Sequence, residues 1–399
     1  MRRMIAFAIL AIALSLGVAA CGGDDDSSSS SSGSAEFQVP DVPVKSSVGA
    51  GEGELNLVVW AGYAEDGSTD KAYDWVTPFE KDSGCTVNAK TAGTSDEMVT
   101  LMRTGQYDGV SASGNASVRM IAGGDVAPID TAILTNWGDI DPLLKNQPYN
   151  SVDGQMYGAP HGWGANLLQW RTDKVDPAPT SWGVVFDENS PYKGKITAYD
   201  DPIYIADAAL YLSKTQPDLK ITNPYELDQT QFDAAVALLK KQRPLIGEYW
   251  SDYTKSQAAF TQGDIVLGTT WQVITNLLQA DKVKVENVLP DEGSTGWSDT
   301  WMLSAKAEHP NCMALWMNWI TSASVQAQVA EWFGEAPANL KACEETSDKG
   351  HCDTFKAGDK EFYDEIAFWA TPTRNCRDDR GNTCVDYSKW VQAWTEIKG

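Results

Sequence analysis

An α/β fold in two lobes is what the sequence predicts, on three observations. From Leu55 to Ala112 the chain alternates strand, helix, strand, helix, strand, the pattern of parallel strands joined by crossover helices. The same grammar returns between Lys195 and Trp319. Of the 399 residues, 347 lie beyond residue 52, which at about 150 residues per domain suggests two.

Each element has a local reason. Leu55 to Trp60 is an apolar, Val-rich run, and Ala72, Trp75, Val76 and Phe79 follow at helical spacing until Ser83-Gly84 stops them. Cys85 to Thr91 is a second strand. Thr94-Ser95-Asp96-Glu97 fits a capping box ahead of Met98, Leu101 and Met102. A third strand, Tyr107 to Ala112, leads into Ser113-Gly114-Asn115. Farther on, Lys195 to Tyr199 is a strand ending in Asp200-Asp201-Pro202, and Phe232 to Lys241 is helical. Asp264 to Thr270 is a strand followed by the helical pattern Trp271, Val273, Ile274, Leu277, Leu278. Trp301 to Ala305 is a short strand before a helix that opens at Pro310 and passes Trp319. Trp75, Trp316, Trp319 and Trp332 fall on the packing faces of helices.

Ahead of these elements lies an export leader. Arg2 and Arg3 precede an apolar run from Ile5 to Ala20, closed by the small residues Val18-Ala19-Ala20 and then Cys21-Gly22. Those 16 residues fall short of the roughly 20 that a spanning helix needs. A cysteine directly after the small residues resembles the bacterial lipobox, which implies lipidation of Cys21. Residues 21–52, rich in Asp and Ser, cannot bury enough apolar surface to order themselves and read as a flexible tether. The chain is thus expected outside the cytoplasm, at the outer face of the cytoplasmic membrane, held by an N-terminal lipid.

Charge and cysteines narrow the classes further. The net charge is −24, and becomes −26 once Arg2 and Arg3 leave with the leader. So acidic a chain is a poor partner for nucleic acid or an anionic surface and a natural attractor of cations. Besides Cys21 there are six cysteines: Cys85, Cys312, Cys343, Cys352, Cys376 and Cys384. An even number in an exported protein reads as disulfides, with fifteen connectivities open. Cys343–Cys352 and Cys376–Cys384 each flank a short polar loop, which leaves Cys85 with Cys312 by elimination. A zinc site using His351 is the alternative, disfavoured because no pair has the tight C-x2-C spacing. No cofactor is expected.

In open α/β sheets ligands bind beyond the carboxyl ends of strands. At those ends stand Trp60 and Tyr63, then Ser113 and Asn115, then Asp201, then Trp271 and Gln272, while Trp297-Ser298-Asp299 precedes the strand at Trp301. Aromatic faces with isolated carboxylates suit an organic cation: rings cover its methylenes and attract its charge, and acids pair with its ammonium ends.

Several motifs then fall in one order: Trp60-Ala61-Gly62-Tyr63, Tyr107-Asp108 with Ser113, Gly158-Ala159-Pro160-His161-Gly162-Trp163-Gly164, Thr180-Ser181-Trp182 and Trp297-Ser298-Asp299. On these the chain, over residues 53–340, resembles the spermidine/putrescine-binding receptors of polyamine ABC transporters. The resemblance implies a type II periplasmic-binding-protein fold, with lobe 1 formed by 53–162 plus 290–340 and lobe 2 by 163–289 plus 341–399. It also implies a monomer that closes about a hinge and delivers its ligand to a membrane permease driven by a cytoplasmic ATPase. Carried over by position, Trp60, Tyr63, Ser113, Asp201, Trp271, Trp297 and Asp299 would line the ligand site. Three positions depart: Asn115 stands where the family has an aromatic, Tyr204 where it has a second acid, and Glu335 where it has a tyrosine.

Two other functions compete. Another organic cation such as choline would suit the aromatic positions. A secreted carbohydrate-active hydrolase could use paired carboxylates, but there is no Gly-x-Ser-x-Gly and no His-Glu-x-x-His. Of the three histidines only His161, beside Trp163, is placed to face a pocket.

Overall fold

The structure, a computed structural model, describes residues 39–376 and 378–399. The leader, Cys21 and the first part of the tether lie outside the described residues. In chain order the strands are β1 Glu54–Val59, β2 Thr86–Thr91, β3 Gly109–Ser113, β4 Ser151–Val152, β5 Gln155–Met156, β6 Ala159–Ala165 and β7 Leu167–Arg171. They continue with β8 Ile196–Tyr199, β9 Ile246–Trp250, β10 Leu267–Thr270, β11 Val285–Val288, β12 Ser294–Leu303, β13 Ala336–Pro337 and β14 Ile366–Phe368.

Apart from β4 and β5, which pair with each other as a separate antiparallel hairpin, these strands form the two sheets of a two-lobed α/β protein. The first has the order β13-β6-β12-β3-β1-β2, with β14 also paired to β12, and the second β11-β7-β10-β8-β9. β1 runs parallel to β2 and β3, as the strand–helix alternation requires, and its Leu55 and Leu57 are fully buried. β12 runs antiparallel to β3 and β6. It is longer than the sequence suggests, and every one of its ten residues is buried. A strand covered on both faces loses the alternation that marks a half-exposed one, so only its Trp301-Met302-Leu303 end is visible in sequence.

Helix starts follow side-chain chemistry. Thr94 accepts from Glu97 N and opens the helix Ser95–Arg103, but the Glu97 carboxylate turns to Gly93 N rather than back to Thr94. Ala72 belongs to a turn, and the helix begins at Val76 because the carbonyl of Glu65 takes the N–H groups of Trp75 and Val76. Of the four tryptophans expected on helix faces, Trp75 is instead the N-cap residue before Val76, and the other three lie on helices: Trp316 meets Phe79 edge-on at 5.0 Å and Trp301 at 5.5 Å. Trp319 donates its indole N–H to the Trp75 carbonyl, and Trp332 packs on Tyr73.

The chain passes between the sheets three times. It crosses at Asn166, between β6 and β7, and again between β11 and β12. The last crossing comes after β14, not at residue 341, because Ile366–Phe368 first pairs in parallel with Ser294–Gly296. Residues 39–52 also differ from the flexible tether expected up to residue 52. Lys45 exchanges backbone hydrogen bonds with Pro128 and Asp130, and the Glu52 carboxylate accepts from the N–H groups of Asn311 and Cys312. That carboxylate caps the helix Pro310–Ile320.

Disulfides join Cys85 to Cys312, Cys343 to Cys352 and Cys376 to Cys384. With these cysteines oxidised no zinc set remains, and among the described residues no cluster of three or more His, Cys, Asp or Glu could hold a metal ion. Cys85–Cys312 spans 227 residues and pins the start of β2 to the helix that caps on Glu52. On the chain-entropy model, opening a loop of that length costs about 5 kcal/mol. The double variant Cys85→Ala/Cys312→Ala is therefore expected to unfold at clearly lower urea concentration, with a slope no shallower because its denatured chain is less confined; an unchanged midpoint would contradict this role.

Candidate ligand-binding site

The centre of the site comes from a defect in the first sheet. Between β12 and β6 the register runs Asp299↔Gly162 and then Thr300↔Pro160, so His161 is an extra, bulged residue. Pro160 has no N–H to give a ladder, and a bulge is where a central strand accommodates it. The bulge sends His161 inward, where its Nδ1 accepts from the Trp301 indole at 2.9 Å and its ring stacks on Tyr63 with centroids 4.1 Å apart. Burial pushes His161 down to about 3, so the ring is neutral, and with Nδ1 accepting, its proton sits on Nε2.

Tyr63 in turn donates its hydroxyl to Asp299 Oδ2 at 2.7 Å, and Ser113 donates to Oδ1 at 2.5 Å. Asp299 is almost wholly buried. Burial pushes its carboxyl up to about 6, while the bonds from Ser113 and Tyr63 oppose the shift. The group is thus already stripped of water, held on both oxygens, and strained towards neutrality. A cation brought beside it offsets the cost of its buried charge.

Trp60, Tyr63, Ser113, Trp271, Trp297 and Asp299 line one cavity. Six of the ten positions read from the sequence therefore converge, although they come from both sheets. The glycine-rich motif explains part of the shape. A Cβ at Gly164 would lie 2.7 Å from the Trp297 ring, and one at Gly162 would lie 2.5 Å from Glu335 Oε1. The two glycines let an indole and a carboxylate lie flat on β6.

The other four positions separate from this group. Asp201 is fully buried; its Oδ1 accepts from Ile203 N and its Oδ2 has no partner, facing a second cavity with Asp96, Asp200 and Trp394. Burial pushes it up to about 7. Glu335 is also fully buried, with neither oxygen hydrogen-bonded, 3.7 Å from His161 Nε2, and it faces a third cavity behind Trp297. Burial, then Asp299, holds its carboxyl well above the usual range. Asn115 does not reach the ligand cavity: it points back to the Ser95 hydroxyl inside the first lobe. Tyr204 does not reach it either, because its hydroxyl accepts from Gln242 in the core of the second lobe, beside Phe186 and Trp394.

Sequence reasoning missed Ser251, Asp252, Tyr253, Phe333 and Trp369, which line the same cavity. The first three follow β9, and recognising that strand would have placed them at a strand tip. Trp369 follows the three-residue β14, too short to stand out. It lies face to face with Tyr199 at 5.3 Å and 18°. The Tyr199 hydroxyl is held well above its ordinary range by burial and then by Asp201 and Asp299, the two acids it lies between electrostatically.

Residues 74–353 match the family model of the bacterial extracellular solute-binding proteins. The chain belongs to that family. It is 29% identical over 302 residues to the spermidine/putrescine-binding periplasmic protein of Escherichia coli, covering 73% of this chain and 83% of that one. It is 24% identical over 294 residues to a putrescine/agmatine-binding protein of Pseudomonas aeruginosa, covering 68% and 77%. The fold is shared with a putative spermidine/putrescine ABC transporter from Listeria monocytogenes, at a TM-score of 0.72, 18% identity, and coverage of 87% of this chain and 99% of that one. A lipoprotein of Treponema pallidum gives a TM-score of 0.69 at 15% identity, covering 86% and 99%. As a member of the solute-binding proteins it is not an enzyme.

The acid shifts make a sign-definite prediction. A folded value of about 6 against an ordinary 3.8 means that ionised Asp299 opposes folding above pH 6, an effect relieved as the pH falls from 6 towards 4. Asp299→Asn is therefore expected to raise the stability of the ligand-free protein at pH 8, by up to about 3 kcal/mol, and to lose that advantage by pH 4. Urea denaturation of both proteins at the two pH values checks it; an equal difference at both would refute the assignment.

Proposed function

We infer that this binding protein is the receptor of an ABC importer and takes a linear polyamine, putrescine or spermidine, into the cleft between its lobes. The arrangement of Asp299 carries the reading: a desolvated carboxylate oriented by Tyr63 and Ser113 among indole and phenol rings is a seat for an alkyl ammonium. Asp201, which lines the neighbouring cavity and acts on the same Tyr199 hydroxyl as Asp299, would supply a second anionic end, and the Trp369–Tyr199 stack would cover methylenes between. Glu335 lies close enough to Asp299 to feel its charge and can receive a further amine in place of the acid absent at Tyr204. A buried carboxylate left without a cation costs several kcal/mol, and an anion beside it costs more, so neutral and anionic solutes are disfavoured.

Ligand entry would shift an equilibrium between open and closed lobes, and the closed form would be read by a permease with its cytoplasmic ATPase. Export through the leader and lipidation at Cys21 would keep the monomeric receptor beside that permease, on the outer side of the membrane. Choline would meet the aromatic walls but leave the second acid unpaired.

Titration calorimetry with putrescine, spermidine and choline tests the reading. The diamine or triamine is expected to bind more tightly than choline, and Asp299→Asn and Asp201→Asn each to weaken putrescine at least about tenfold, the effect of losing one buried charge-assisted bond. Unchanged affinity in both variants would reject the pocket.

A further inference from the structure

The C-terminal arm touches both lobes and the cleft together, and nothing read from the sequence assigned it a role. It leaves the first sheet at Trp369, whose N–H donates to the Gly296 carbonyl at 2.8 Å and whose ring lines the ligand cavity. From there it is rooted on the second lobe. Arg380 donates to the Glu226 carbonyl at 2.8 Å, Val385 N to the Leu227 carbonyl at 2.8 Å, and Trp394 Nε1 to Asp200 Oδ1 at 3.1 Å. Trp390 packs on Phe232. The disulfide Cys376–Cys384 staples the arm just before the helix Tyr387–Lys398.

Against the first lobe the arm makes a different kind of contact. The Thr371 hydroxyl donates to the Asn115 carbonyl at 3.1 Å. Tyr387, nearly buried, donates its hydroxyl to Asp96 Oδ1 at 3.2 Å, and the Arg119 guanidinium lies over its ring, 4.5 Å from the centroid. Asp96 and Arg119 are themselves an ion pair, and they come from two neighbouring helices, Ser95–Arg103 and Gly114–Gly123. One phenol ring of the second lobe is thus seated in a preformed acid–base pair of the first. Asp96 also shares the cavity that holds Asp201.

We propose that this arm is an interlobe latch: the seat of Tyr387 between Asp96 and Arg119 holds the lobes together and sets how long a bound ligand stays. The lobes cannot part without withdrawing Tyr387, because the arm is fixed to the second lobe on either side of it. The staple matters for the same reason. With the chain pinned at Cys384, a swing of the second lobe moves Tyr387 as part of a rigid body, so the contact breaks at once instead of stretching. The latch adds closure without touching the ligand, so it acts on dissociation and leaves association nearly untouched. It rests on the cleft between the lobes being the ligand site.

Stopped-flow tryptophan fluorescence with putrescine as the probe tests it. Tyr387→Ala and Arg119→Gln are each expected to release putrescine about fivefold faster, the worth of one cation–π contact or hydrogen bond at a partly exposed site. Association should stay within about twofold, and the double variant should release no faster than Tyr387→Ala, which already removes every contact of that ring. Unchanged dissociation, or a double variant that is fully additive, overturns the latch. A wild-type protein that binds no putrescine overturns the polyamine reading alone. The latch is then decided by small-angle scattering of the ligand-free chain, where Tyr387→Ala must enlarge the radius of gyration and an equal radius overturns it.

Discussion

The buried carboxylate of Asp299 is the constraint around which the rest of the binding protein is arranged. It sits inside the central strand of the first sheet, where burial favours its neutral form, and it is kept usable by the hydroxyls of Tyr63 and Ser113. Everything near it serves its orientation. The bulge at His161 sets the register that faces Asp299 inward, the neutral His161 supports the Tyr63 ring, and Trp301 fixes the His161 tautomer. This is a chain of positioning with one purpose, a desolvated anion whose direction does not depend on solvent.

Such a group carries a tension between stability and binding. Buried acids with raised values at Asp299, Asp201, Asp207 and Glu335 all oppose folding when ionised. A site built only for stability would replace them with apolar side chains. Their retention makes sense if a cation discharges the tension in the bound form, so that part of the energy stored on folding is returned on binding. Asp207 belongs to this economy in a structural way: it accepts from Thr295 at the start of β12, next to Asn166, which bonds Thr295 and Trp271. The crossing between lobes is thus polar and hydrogen-bonded.

Much of this was legible in sequence because it is local. Runs such as Leu55 to Trp60 and the spacing of Trp316 and Trp319 report burial through periodicity, and cysteine spacing reported two of the disulfides. Strand tips brought Trp60, Tyr63, Ser113 and Trp271 to the site. The readings that moved are those where side-chain direction decides. Asn115 and Tyr204 share the neighbourhood of the cleft in sequence but turn into helix-packing cores, bonded to Ser95 and Gln242. Nothing in residue type distinguishes a tyrosine facing a ligand from one facing a neighbouring helix.

The sequence by itself determined the α/β class, an acidic composition that favours cations, and the aromatic and acidic residues available to meet one. Each of those follows from composition or from spacing within a few turns of chain. Only the tertiary structure decided which of them share a cavity, that β12 extends back through Asp299, and that the last strand joins the first sheet before the arm returns to the second lobe. Those outcomes depend on register between segments more than a hundred residues apart, set by the burial of entire sheet faces and by a single extra residue at His161.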